Sequence, residues 1–176
     1  LGGNLVTIGS AFDYASLGCT HYCCGDFALL KTLPGTQITY PASPSEFDAL
    51  FQQTYRNKAF TLFRVPAHQH GRDFKAEDIQ LGKGIKITDG SSLSIVVTGP
   101  QLRNALAAWE ALSGMGWSTE ILYIHTIRPL DVDLIRASVG KTRRVLVVEE
   151  HMRSGGLGDD VLRATRDIPD MQYASL

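Results

Sequence analysis

A short apolar run followed by an amphipathic helical pattern, then a further short apolar run, recurs through most of this chain. It is the feature that most restricts the fold. Leu5–Ala11 reads as a strand, Tyr22–Thr32 as a helix, Gln37–Tyr40 as a strand, Ser43–Tyr55 as a helix and Phe60–Val65 as a strand. Two strands with a helix between them run parallel, because the crossover returns the chain to the same end of the sheet. The punctuation agrees. Pro34-Gly35 stops the first helix, and Ser43-Pro44-Ser45-Glu46 has the N-cap, first-turn proline and acidic third residue of a helix start.

The pattern breaks once. Residues 67–82 are polar, charged and aperiodic, and a small strand pair is expected around Gly84–Gly90. From Ser92 the alternation resumes, with strands at Ser94–Thr98, Thr119–His125 and Arg144–Val148 and a last one expected at Met171–Ala174. Helices are predicted at Gln101–Ser113, Asp131–Ser138 and Gly156–Thr165. The expected fold is therefore α/β: two three-layer α/β/α units with mainly parallel sheets, the first incomplete at its N-terminus. Their expected bounds are residues 1–70, a linker at 71–91, and residues 92–176.

Composition removes several function classes. Positive and negative side chains balance to a formal charge of −1 over 176 residues, so no electrostatic footprint for nucleic acid or an anionic membrane follows. No apolar run approaches the ~20 residues of a membrane span. No signal peptide is evident at the start, and the three cysteines crowd into Cys19–Cys24 instead of spreading as a disulfide framework. A cytoplasmic setting is expected.

Few residues stand where chemistry is done. His21 lies in a loop between a strand and a helix, where open α/β sheets place ligand sites; a satisfied structural histidine is the alternative. Arg64, near the end of its strand, offers a planar fork to phosphate or carboxylate, or a salt bridge to a neighbouring unit. His68 and His70 flank Gln69 beyond that strand and either reach the same sheet edge or stay solvated. His125 and His151 end strands. The sequence Cys19-x-His21-x-Cys23-Cys24 has possible metal ligands, but all fall within six residues of chain and straddle a helix start, so no metal site is expected. Gly155-Gly156-Leu157-Gly158 could present backbone N–H groups to an anion, though close helix–sheet packing is the expected role.

Two sets of motifs resemble one family. Gly18-Cys19-Thr20-His21, the following LPGTQITYPASPSEF and then FTLFR resemble the pyrimidine-binding domain of transketolase-like, thiamine-diphosphate-dependent enzymes. VVTGPQLRNALAAWEAL, IHTIRPLDVDLI and RRVLVVEEHMRSGGLGDDV resemble that family's C-terminal domain, the last string most specifically. The resemblance implies ketol transfer between sugar phosphates with thiamine diphosphate and Mg²⁺. The relatives it leaves open are a 2-oxo-acid dehydrogenase β subunit and a 1-deoxy-D-xylulose-5-phosphate synthase, whose T-H-x-x-x-x-D pattern Asp26 matches. A dimerisation or docking module is the reading from another class.

The resemblance implies that His21 moves protons at the reacting centre and that Arg64 grips a sugar phosphate; His68, beyond the Arg64 strand, is expected to contact substrate as well. The family's aspartate before this histidine is replaced by Leu17, with Asp13 the nearby carboxylate. The family's diphosphate-binding domain and its activating glutamate have no counterpart here. The cofactor is therefore expected to be held largely by a missing N-terminal section or a partner subunit, in a homodimer or heterotetramer. The C-terminal domain is expected to support assembly, which leaves His151 a structural reading.

Overall fold

The structure, a computed structural model, describes residues 2–9, 12–18, 20, 21 and 23–176. Its first sheet contains β1 (Gly3–Ile8), β2 (Gln37–Thr39) and β3 (Phe60–Val65), with helices α1 (Asp26–Lys31) and α2 (Pro44–Thr54) as crossovers. The second contains β4 (Ile85–Thr88), β5 (Leu93–Val97), β6 (Thr119–Tyr123), β8 (Arg144–Val148) and β9 (Gln172–Ser175). Helices α3 (Leu102–Gly114), α4 (Val132–Thr142) and α5 (Leu157–Thr165) cover this sheet. A short strand, β7 (Thr126–Arg128), follows β6 directly.

The sheet orders are β1-β3-β2-β7 and β4-β6-β5-β8-β9. All pairings are parallel except β2 with β7 and β4 with β6. The α/β reading with mainly parallel sheets therefore stands. Alternation along the strands explains the layers. Ile95, Val97, Ile121 and Tyr123 pack toward α3, whereas Val96, Leu122, Val145 and Val147 pack with Ile135 and Val139 of α4 and Val161 of α5.

The two units are less separate than expected. Residues 71–91 include β4, an edge of the second sheet, so this segment is not simply a linker. β7, read from sequence as part of a loop, crosses from the second unit to pair with β2. One continuous core contains Phe27, Ile38, Tyr40 and Leu62 from the first sheet together with Val96 and Leu122 from the second. At the seam, Gly99 takes φ +61°, and a Cβ there would fall 2.3 Å from the Tyr40 ring. Only glycine fits both conditions.

α2 starts as the sequence implies: Ser43 Oγ accepts from the Glu46 N–H at 3.3 Å. Glu46 departs from a standard capping box by accepting from the N–H of Ala42 at 2.7 Å. It is fully buried, and also accepts from Tyr123 Oη at 2.8 Å and meets His70 Nε2 at 2.5 Å. No helix is long and apolar enough to cross a membrane among the described residues.

Candidate active site

Pairing register builds the site. Leu5 lies opposite Leu62 and Thr7 opposite Arg64, so these four side chains share the sheet face that α1 packs against. β1 is the sheet edge, and α1 leaves its face open. The result is a cleft of about 390 Å³ lined by Leu5, Thr7, Gly9, Thr20, His21, Asp26 and Leu62, among others. Gly9 and His21 belong to the loop that leaves the carboxyl end of β1, where α/β sheets place ligands.

His21 is exposed and lines this cleft. Its N–H donates to Gly18 O at 3.1 Å, and its Nδ1 lies 2.8 Å from Thr20 Oγ1. With the hydroxyl donating to Nδ1, the outer nitrogen Nε2 carries the ring proton.

Arg64 does not present its fork to the cleft. It is fully buried. Nη1 donates to Glu150 O at 2.8 Å, and Nε lies 2.9 Å from Asp26 Oδ2, close enough for an ion pair but without hydrogen-bond alignment. The guanidinium also sits 4.5 Å from the Phe27 ring centroid and 4.7 Å from that of Tyr40. The ion pair therefore lies within its own unit, with Asp26, and the link to the neighbouring unit is a hydrogen bond to a backbone carbonyl and not the salt bridge that the sequence also allowed. Beyond the ion-paired Nε, Nη2 is the guanidinium nitrogen without a hydrogen-bond partner. Asp26 is what reaches the cleft, its side chain 14% exposed. Burial raises its pKa, and the Arg64 charge pulls it back down.

His68 is exposed on the loop after β3 and does not line the cleft. It emerges at the same sheet edge, since Val65 pairs with Ile8. Asp13 Oδ2 accepts from the Ala67 N–H at 2.7 Å, tying the two loops of that edge together. His70 turns inward to Glu46. Cys23 and Cys24 are free, while Cys19 lies outside the described residues.

The string Glu149-Glu150-His151 forms the back of the site; the sequence gives it as part of the most family-specific segment and assigns a structural role to His151 alone. Glu149 accepts from the N–H groups of Leu157 and Gly158, both at 2.7 Å. The possible anion cradle of the glycine-rich segment is thus filled from within the chain. A Cβ on Gly156 would fall 2.6 Å from the Glu149 oxygens. Glu150 accepts from Tyr40 Oη at 3.2 Å and Gln101 Nε2 at 2.7 Å. The His151 ring stacks on Phe27 with centroids 5.0 Å apart, and Met152 N–H donates to Cys24 O at 2.8 Å. The links of Glu150 to Tyr40 and Gln101, of His151 to Phe27 and of Met152 to Cys24 join residues too distant in sequence for any local signal.

Two of the buried histidines make stability depend on pH. Burial lowers His125 and His151 from 6.5 to about 4. Between those values the unfolded chain binds protons that the folded chain refuses, so stability falls as pH falls through the window. The slope is at most about 1.4 kcal/mol per pH unit for each histidine. The raised carboxyls of Asp26 and Glu149 oppose it above 3.8 and 4.5, flattening the acid end. Urea unfolding at pH 7 and pH 5 should show the loss, and His125→Asn should roughly halve it; an unchanged slope would remove His125 from the account.

Residues 82–172, a little over half of the chain, match the family model described as "Transketolase, C-terminal domain". The chain belongs to the transketolase C-terminal domain family. Among curated relatives, this family member is similar to one subunit of the apulose-4-phosphate transketolase of Phocaeicola vulgatus, 29% identical over 167 residues. That alignment covers 94% of this chain and 54% of the relative. It is also similar to the beta chain of the pyruvate dehydrogenase E1 component of Staphylococcus aureus, 30% identical over 139 residues, covering 76% of this chain and 43% of that one. The chain spans about half the length of these relatives. Its fold matches a solved split-gene transketolase, an inactive beta4 tetramer, with a TM-score of 0.86 at 21% identity, over 98% of this chain and 56% of the other.

Proposed function

We propose that this chain is the C-terminal section or subunit of a transketolase-like enzyme that transfers a two-carbon ketol unit between sugar phosphates. The observation that carries the reading is the cleft at the carboxyl end of β1, where the Thr20-His21 pair meets Asp26 against an apolar wall. Similarity to a transketolase subunit over 94% of the chain supports that chemistry for the cleft.

Thiamine diphosphate, when bound, supplies the electron sink for breaking and forming the carbon–carbon bond. The cleft fits the reacting end of such a group, with apolar Leu5 and Leu62 beside a histidine. It does not fit the diphosphate, because no lysine or arginine among the described residues lines it. Among the described residues, no group of three histidine, cysteine or carboxylate side chains stands where it could hold a metal ion. Diphosphate and Mg²⁺ therefore fall to a further section or partner subunit in this reading, and no step here runs through them.

What this chain contributes is proton handling and orientation. His21 lines the cleft with its Nδ1 held by Thr20, which leaves Nε2 as the ring nitrogen to give up a proton and take one back. His68, exposed at the same edge, is the side chain available to the substrate's phosphate end. Identity to a pyruvate dehydrogenase beta chain favours one other reading, decarboxylation of a 2-oxo acid.

The test is reconstitution with a candidate N-terminal section. Transfer from D-xylulose 5-phosphate to an aldose phosphate is the expected result. Pyruvate-dependent decarboxylation in its place would move the assignment to the dehydrogenase, and no turnover with any partner would leave a docking module.

A further inference from the structure

We propose that Asp26 is a specificity-determining residue, whose carboxylate accepts hydrogen bonds from the hydroxyl chain of a polyol substrate in the His21 cleft. This rests on the ketol-transfer reading.

The argument starts from which charges reach the cleft. Arg64 has no exposed surface, and neither lysine nor arginine among the described residues lines the opening. Asp26 is the carboxylate in the lining, beside Thr7, Thr20 and His21. The positive charge of Arg64 is thus present only behind Asp26, through the 2.9 Å approach of Nε to Oδ2. A phosphate placed at this point would meet a carboxylate with no free cation to pair it, and would be repelled. Sugar hydroxyls suit the point, because each can donate to a carboxylate oxygen, and such charge-assisted bonds are the stronger kind.

The carboxylate is also held in place. Oδ1 accepts from the Phe27 N–H at 3.0 Å. Arg64 is fixed in turn by Glu150 O and by the Phe27 and Tyr40 rings. His151 Nε2 lies 3.8 Å from Oδ1 with no hydrogen-bond partner of its own, so the second unit closes the far side. An acceptor whose position is fixed before substrate arrives costs little to organise, which is what specificity requires.

The experiment uses the assembled enzyme with Asp26→Asn, which removes the carboxylate charge and one of its two acceptor oxygens at nearly constant volume. KM for D-xylulose 5-phosphate should rise roughly tenfold or more, the loss expected for a hydrogen bond to a charged group. KM for hydroxypyruvate, a donor without the hydroxyl chain, should stay within about twofold on the same reasoning. Equal changes for both donors, or none for either, would overturn the assignment. Asp26→Glu keeps the ion pair and should give an intermediate KM, which covers a failure of the asparagine variant to fold.

A readout without turnover separates this proposal from the reaction itself. D-Arabinitol 5-phosphate, which carries the hydroxyls but no carbonyl, should shift the Asp26 carboxyl ¹³C resonance of the wild-type assembly and bind roughly tenfold weaker to Asp26→Asn. Wild-type turnover without that shift would sink the Asp26 role alone. The shift without turnover would sink the ketol-transfer reading and leave the polyol contact standing.

Discussion

Glu46→Ala should cost the folded chain about 3–5 kcal/mol, the loss seen when one partner of a buried charged network is removed. For a chain of this size that lowers Tm by roughly 10 °C. The reason is a count of donors. Glu46 accepts from Ala42 N–H and Tyr123 O–H through Oε2, and from His70 through Oε1. His70 Nδ1 accepts from the Arg72 N–H at 3.1 Å, so the proton must lie on Nε2 and point at the carboxylate. Tyr123, its pKa raised by burial and by Glu46, stays a donor throughout the usual pH range. Alanine would leave three buried donors facing a void, each costing about 1–3 kcal/mol before any rearrangement. Glu46→Gln retains an acceptor and the volume, and should lose less than half as much. Thermal and urea unfolding of both variants checks this; equal losses would mean that the carboxylate matters for packing and not as a shared acceptor.

That network marks where reading the sequence succeeds and where it stops. Glu46 was legible as a helix-start residue because Ser43, Pro44 and Glu46 are close neighbours. Its bonds to His70 and Tyr123 span 24 and 77 residues, and no periodicity encodes them. The strand alternation of Ile95 to Val97 and Ile121 to Tyr123 gave the layers correctly, because side chains must alternate faces. β7 escaped because three residues are too few to show alternation, and its partner, β2, belongs to the other unit. α4 runs on to Thr142 beyond the expected Ser138. A Cβ at Gly140 would meet nothing within 4 Å, so the glycine interrupts no packing, and Val139 and Thr142 continue the buried face. α1 shows the opposite error. It spans Asp26 to Lys31, shorter than the expected Tyr22–Thr32, and Phe27 is its one fully buried residue.

For the site, motif reading singled out His21 and Arg64, of which only His21 lines the cleft. An arginine at a strand end reads as a ligand-gripping group. The structure gives it Phe27, Tyr40, Asp26 and Glu150 as neighbours, all four from other parts of the fold. Burial of this kind depends on how α1 and the Glu149-Glu150-His151 segment close over the sheet. That is tertiary information, absent from any local pattern.

His21→Ala should separate chemistry from stability more cleanly than any other change in the cleft. The side chain is exposed, so the folded chain should lose no more than about 0.5 kcal/mol. In the assembly of the proposed reading, kcat for ketol transfer should fall by roughly 10²–10⁴, the usual contribution of a positioned acid–base group. KM should change far less, because the apolar wall and Asp26 remain. Thr20→Val offers the graded control. It leaves the imidazole but removes the 2.8 Å partner of Nδ1, so the ring loses a fixed tautomer and orientation. A fall in kcat of about tenfold, smaller than for His21→Ala, is the expected size for a lost orienting bond. If His21→Ala instead raised KM and left kcat intact, the histidine would be a binding group. Another group, Asp26 in the same cleft among them, would then have to move the proton.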